Sequence, residues 1–109
     1  MLETIKELLA AVWQFIKKIV LKLLNFIANI YSFFKDSSRL RKLQEDKDRI
    51  AVSIKENLEN GNYQVVNCLF DQATDQLVTP ETDAEVITAE ELDSETEEKF
   101  AGKDMIILK

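Results

Sequence analysis

Histidine is absent from this sequence, cysteine occurs once, at Cys68, proline once, at Pro80, and glycine only at Gly61 and Gly102. Each scarcity removes a class of chemistry. Without histidine, the usual general base and the usual partner of a catalytic thiol are missing, so Cys68, in a β-prone stretch, reads as a small buried hydrophobe. One thiol cannot close an internal disulfide, and zinc or a redox metal would find neither imidazoles nor a thiolate set. Two isolated glycines cannot make a phosphate-cradling loop, which excludes the familiar nucleotide-binding motifs. No paired carboxylates stand in a recognisable catalytic setting, and the expectation is a protein that is not an enzyme and holds no cofactor and no metal. Asp71, Asp75, Glu81 and Asp83 fall in or beside expected loops, where calcium ligands often sit. Their spacing lacks the alternating acids, central glycine and terminal glutamate of an EF-hand, so they read as polar turn residues.

What is abundant is apolar surface near the start. Of the 27 residues from Leu8 to Phe34, 20 are apolar or aromatic. Six of the rest, Gln14, Lys18, Lys22, Asn25, Asn29 and Ser32, follow one another at steps of three or four, which on a helix is one narrow polar stripe. Thr4 and Glu7 have capping-box spacing. With no glycine or proline to interrupt it, the pattern predicts a single helix over 5–35, a rod roughly 46 Å long at ~1.5 Å per residue. Lys17, Lys18 and Lys22 argue against a transmembrane span, since each would cost about 2.5–3.5 kcal/mol near mid-bilayer. Glu3 and Glu7, and the lack of a cleavage site, argue against a secretory signal. An intracellular chain, cytoplasmic or peripheral to a membrane, is the expectation.

Beyond a break at Lys35–Ser38, Leu40, Leu43, Ile50, Ile54 and Leu58 predict a second amphipathic helix over about 38–59, capped by Asp36 or a serine and stopped by Asn60 and Gly61. From Asn62 the composition turns β-prone. Tyr63–Phe70 and Gln76–Thr79 read as a hairpin, Ala84–Ala89 as a third strand and Met105–Leu108 as a fourth. A short helix over 94–100 carries a second capping-box spacing, Ser94 and Glu97. The fold class is α+β, with two helices followed by a small sheet of three or four strands and one short helix. The chain divides into an apolar helix over 1–36, a charged helix over 37–61 and an acidic α+β module over 62–109.

Charge divides it too. Residues 1–58 carry 11 basic and 7 acidic side chains, and residues 59–109 carry 3 and 13. That asymmetry suits contacts between copies, or a basic half on an anionic surface with the acidic half in solvent. Arg39, Arg41, Lys42, Lys47 and Arg49 are threaded with Glu45, Asp46 and Asp48, which reads as a solvated face and not as a nucleic-acid site.

Two functional readings compete. In one, the first helix docks on copies of itself or on a partner protein through Val12, Trp13, Ile16, Ile19, Leu23, Phe26, Ile27, Ile30 and Phe34. In the other, it lies on an anionic membrane with Lys17, Lys18, Lys22, Arg39, Arg41 and Lys42 at the headgroups. A helical pore is a lesser variant of the second. The ordinary alternative, that this segment folds back over the rest of the domain, must leave much of its circumference uncovered.

Overall fold

A computed structural model describes residues 1–108. The elements run α1 (Leu2–Val12), β1 (Lys17–Leu24), a π-helix (Phe26–Tyr31), α2 (Ser32–Lys35), α3 (Ser37–Glu45), β2 (Arg49–Asn57), β3 (Tyr63–Asp71), β4 (Gln76–Leu77), α4 (Pro80–Asp83), β5 (Glu85–Leu92), α5 (Ser94–Phe100) and β6 (Met105–Leu108). Five strands make the sheet in the order β1-β5-β3-β2-β6, and the two-residue β4 adds to β3. Only β1 against β5 is parallel. The fold is α+β, as the sequence implies, but six strands form the sheet where three or four were expected. Strands from 1–36, 37–61 and 62–109 all belong to that one sheet.

The two extra strands are the corrections that matter. In place of the expected 5–35 helix stand an 11-residue helix, a turn, a strand, and then the π-helix and α2. A 46 Å rod would exceed the longest dimension of the whole molecule, 36 Å. Between α1 and β1 the chain turns at Trp13–Ile16 without glycine or proline, with the Phe15 amide donating to the Val12 carbonyl at 2.9 Å. The amino group of Lys18 donates back to the Trp13 and Ile16 carbonyls and lies over the Trp13 ring. The expected 38–59 helix likewise ends at Glu45, and Arg49–Asn57 is β2. Asn60 and Gly61 close the β2–β3 hairpin rather than a helix, Gly61 supplying φ +88°.

Several local signals act as read. Asp36 caps α3, its carboxylate accepting from the Ser38 and Arg39 amides. Asp71 accepts from Ala73 and Thr74 in the turn before β4. At α5 the cap is Asp93 and not Ser94: Oδ1 accepts from the Thr96 amide at 2.9 Å, while Oδ2 accepts from the Phe26 amide at 3.1 Å. That single carboxylate ties the start of α5 to the start of the π-helix. Burial works to raise the Asp93 pKa, but the hydrogen bonds from Thr96 and Phe26 more than offset it and hold the group below the usual carboxylate range.

Each face of the sheet has its own core. Helix α1 lays Ile5 and Leu9 against Val52, Val66, Cys68, Phe70 and Val86. The π-helix, α2 and α5 bring Phe26, Ile30, Phe33, Phe34 and Phe100 to Ala51, Val65, Leu69, Ile87 and Ala89 on the other face. Helices on both faces explain why β3 alternates so weakly: Val65 to Phe70 are all buried.

Candidate functional site

One feature interrupts the second core. Lys17, Glu85, Asn67, Ser53 and Ile106 are register partners on β1, β5, β3, β2 and β6, so they form one row straight across the sheet. Three members of that row, Ser53, Asn67 and Glu85, are buried polar side chains on the face packed by the π-helix. They are joined in series. Ser53 Oγ donates to Asn67 Oδ1 at 2.8 Å, and Asn67 Nδ2 donates to Glu85 Oε2 at 3.0 Å and to the Asn29 carbonyl at 3.1 Å. Both functional atoms of the Asn67 amide are thereby used, as a fully buried amide requires.

Glu85 is 9 % exposed and forms no ion pair among the described residues. Burial pushes its pKa up, against the opposing influence of the Asn67 hydrogen bond and the Arg39 and Lys17 charges. The group lines a cleft of about 360 Å³ between the β1–β5 edge and the π-helix, with Lys17, Asn29, Ser32, Arg39 and Glu81 around it.

The cleft's far wall is a second polar knot. The Arg39 guanidinium sits 3.8 Å from the centre of the Phe33 ring, pairs with Asp83 at 3.2 Å and donates to the Phe33 and Thr82 carbonyls. Asp83, 3 % exposed, also accepts from Lys42 and from the Thr79 hydroxyl. Burial alone would raise the Asp83 pKa. The Lys42 and Thr79 hydrogen bonds and the Lys42 and Arg39 charges win, and the carboxyl is held below its ordinary value. This knot ties α3 to α4 and to the start of β5.

On the outer side of the same region lies the free edge of β1. Phe15 is 72 % exposed and Val20 82 %, and Leu23, Ile27 and Tyr31 are exposed as well. Strand β1 pairs on one side only, eight residues long and without proline. The other sheet edge, β6, has four residues and one exposed large apolar side chain, Ile107.

The structure divides the expected docking residues. Ile16, Phe26, Ile30 and Phe34 are buried in the protein's own core, while Val12, Trp13 and Ile19 are half-buried. Leu23 and Ile27 alone of the nine are exposed. Among the expected headgroup residues, Lys17, Lys18, Lys22 and Arg41 are exposed, Lys18 being drawn back onto Trp13. Arg39 and Lys42 are half-buried and engaged by Asp83. The row of Ser53, Asn67 and Glu85 does not stand out in the sequence: Asn67 interrupts the apolar run of β3, but β2 and β5 carry other polar residues, so Ser53 and Glu85 are not distinguished there. Among the described residues no group of acids and cysteine gathers as a metal site, and no helix is long and apolar enough to cross a membrane. Compared with family models, characterised proteins and solved structures, the chain matches none.

Proposed function

We propose that this is a non-enzymatic interaction protein that self-associates by pairing the free edge of β1 with β1 of a second copy. The observation that carries the reading is the unpaired edge of β1 with exposed apolar side chains on it, Val20 and Leu23, and in the segments that flank it, Phe15, Ile27 and Tyr31. An unblocked strand is a template for strand addition, and apolar neighbours add the burial that backbone pairing alone lacks. A second copy is favoured by the strand's own pattern. Antiparallel pairing about a two-fold at Ile19 sets Lys17 opposite Leu21 and Lys18 opposite Val20, so that no lysine faces a lysine. The retraction of Lys18 onto the Trp13 and Ile16 carbonyls removes a further cation from the edge.

Light scattering on a size-exclusion column tests it. Wild-type protein is expected to run as a dimer at micromolar concentration and the Val20→Lys variant as a folded monomer, since Val20 makes little contact within its own subunit. A wild-type monomer at all accessible concentrations sinks the proposal. A specific observation favours one second reading: Lys17 and Lys22 are exposed in the same segment of chain as the exposed Phe15 and Tyr31, the composition of a membrane-interface patch. Co-sedimentation of a wild-type monomer with anionic vesicles, lost in Val20→Lys, would move the proposal to that surface.

A further inference from the structure

The interaction reading leaves the buried Glu85 unexplained. A glutamate residue nine-tenths buried is costly to ionise unless a cation or several donors meet its carboxylate. Here Asn67 meets Oε2 and nothing among the described residues hydrogen-bonds Oε1. The nearby cations do not supply a partner. Arg39 is spent on Asp83 and on two carbonyls, and Lys17, next to Glu85 in the sheet register, is exposed and makes no ion pair.

The surroundings are built and not accidental. Glu85 is held from behind through Asn67 by Ser53 on one side and the Asn29 carbonyl on the other. Asn29 belongs to the π-helix, a rare conformation that recurs at functional sites, and its side chain further locks the segment by accepting from the Asn25 amide at 2.7 Å. Ser32 also lines the cleft; its hydroxyl donates to the Ile27 carbonyl, which leaves its lone pairs free to accept. At about 360 Å³ the cleft has the size of a small-ligand pocket, with room for a dozen water-sized groups at ~30 Å³ each.

We propose that this cleft binds a small molecule carrying a primary ammonium group, received by Glu85 Oε1 with the Ser32 hydroxyl as a second acceptor and Lys17 left at the rim. The chemistry is that of a hard point charge with three donors entering a cleft lined by a carboxylate with one oxygen free of hydrogen bonds. An anionic group placed against Glu85 would meet a like charge. Binding supplies the missing cation to a carboxylate already positioned by Asn67, which Ser53 and the Asn29 carbonyl hold in turn, so little ordering is required on entry.

The test is an NMR titration with n-butylammonium chloride, with n-butanol as the uncharged control, following the Asn67 side-chain amide and the backbone amides of Glu85 and Ser32. Saturable shifts with the amine, none with the alcohol, and at least about tenfold weaker binding in Glu85→Gln are expected. Should Glu85→Gln fail to fold, Ala28→Phe serves instead: Ala28 is an exposed residue of the cleft lining, and the larger side chain is expected to block the shifts without disturbing the core. Equal shifts with amine and alcohol, or no shift up to about 100 mM amine, would overturn the proposal.

Discussion

Removing the Asp83 carboxylate is expected to loosen the wall of the cleft by a predictable amount. Asp83 receives a charged hydrogen bond from Lys42, a hydroxyl bond from Thr79 and an ion pair from Arg39 while almost wholly buried. Hydrogen bonds to charged groups contribute about 1.5–3 kcal/mol each, and breaking a buried pair costs about 3–5 kcal/mol. The cations keep some water, with side-chain exposures of 20 % for Arg39 and 27 % for Lys42, so the lower part of that range applies. Asp83→Ala should therefore cost about 2–3 kcal/mol, and Asp83→Asn, which keeps an acceptor for Thr79, about 1–2 kcal/mol. The pH dependence has a definite sign. Because the folded-state pKa of Asp83 is lowered, its stabilisation is complete above the unfolded value near ~3.9 and is lost as pH falls through the folded value. Urea denaturation followed by Trp13 fluorescence should thus show a gap between wild type and Asp83→Asn at neutral pH that narrows steadily below about pH 4. A cost for Asp83→Ala under about 0.5 kcal/mol, or a gap indifferent to acid, would refute the assignment of Asp83 as the anchor.

Three other outcomes follow from burial alone. Phe100 is fully buried, so Phe100→Ala should cost about 3–5 kcal/mol in the same denaturation assay. Burial pushes the Cys68 thiol up to about 12, so iodoacetamide should label it only as fast as the protein unfolds. Glu85 works opposite to Asp83: its raised pKa means that the folded state is favoured below the unfolded carboxyl value and loses stability as pH rises through the folded one. Glu85→Gln should accordingly be relatively more stable than wild type at neutral pH than at acid pH, read from paired denaturation curves.

The C-terminal strands were legible because their signals do not depend on distant partners. Tyr63–Phe70 is β-prone, and the Asp71 turn supplies its own side-chain hydrogen bonds. The N-terminal half misleads for a definite reason. Ile50 and Ile54 are four apart, which suits one helix face and one strand face equally, and Val52 between them was the residue that favoured the strand. Lys17–Leu24 holds alternation only as far as Leu21. Beyond it the parallel register with β5 omits Lys22 and Glu90, and Leu24 joins the same core as Leu21, so the period of two is broken within the strand itself. The preference of this segment is decided by β5, about 70 residues away, and by the sheet face that the π-helix covers. The polar row was equally hidden, because Ser53, Asn67 and Glu85 acquire a common address only when three strands are in register.

Pairing of β1 with β1 of another copy is read most directly by amide hydrogen exchange at that edge. Comparing dilute with concentrated protein, the outward amides of Lys17–Leu21 should pass from fast exchange to protection as concentration rises, and should stay fast in Val20→Lys. Outward amides that exchange fast at every concentration would contradict edge pairing between copies.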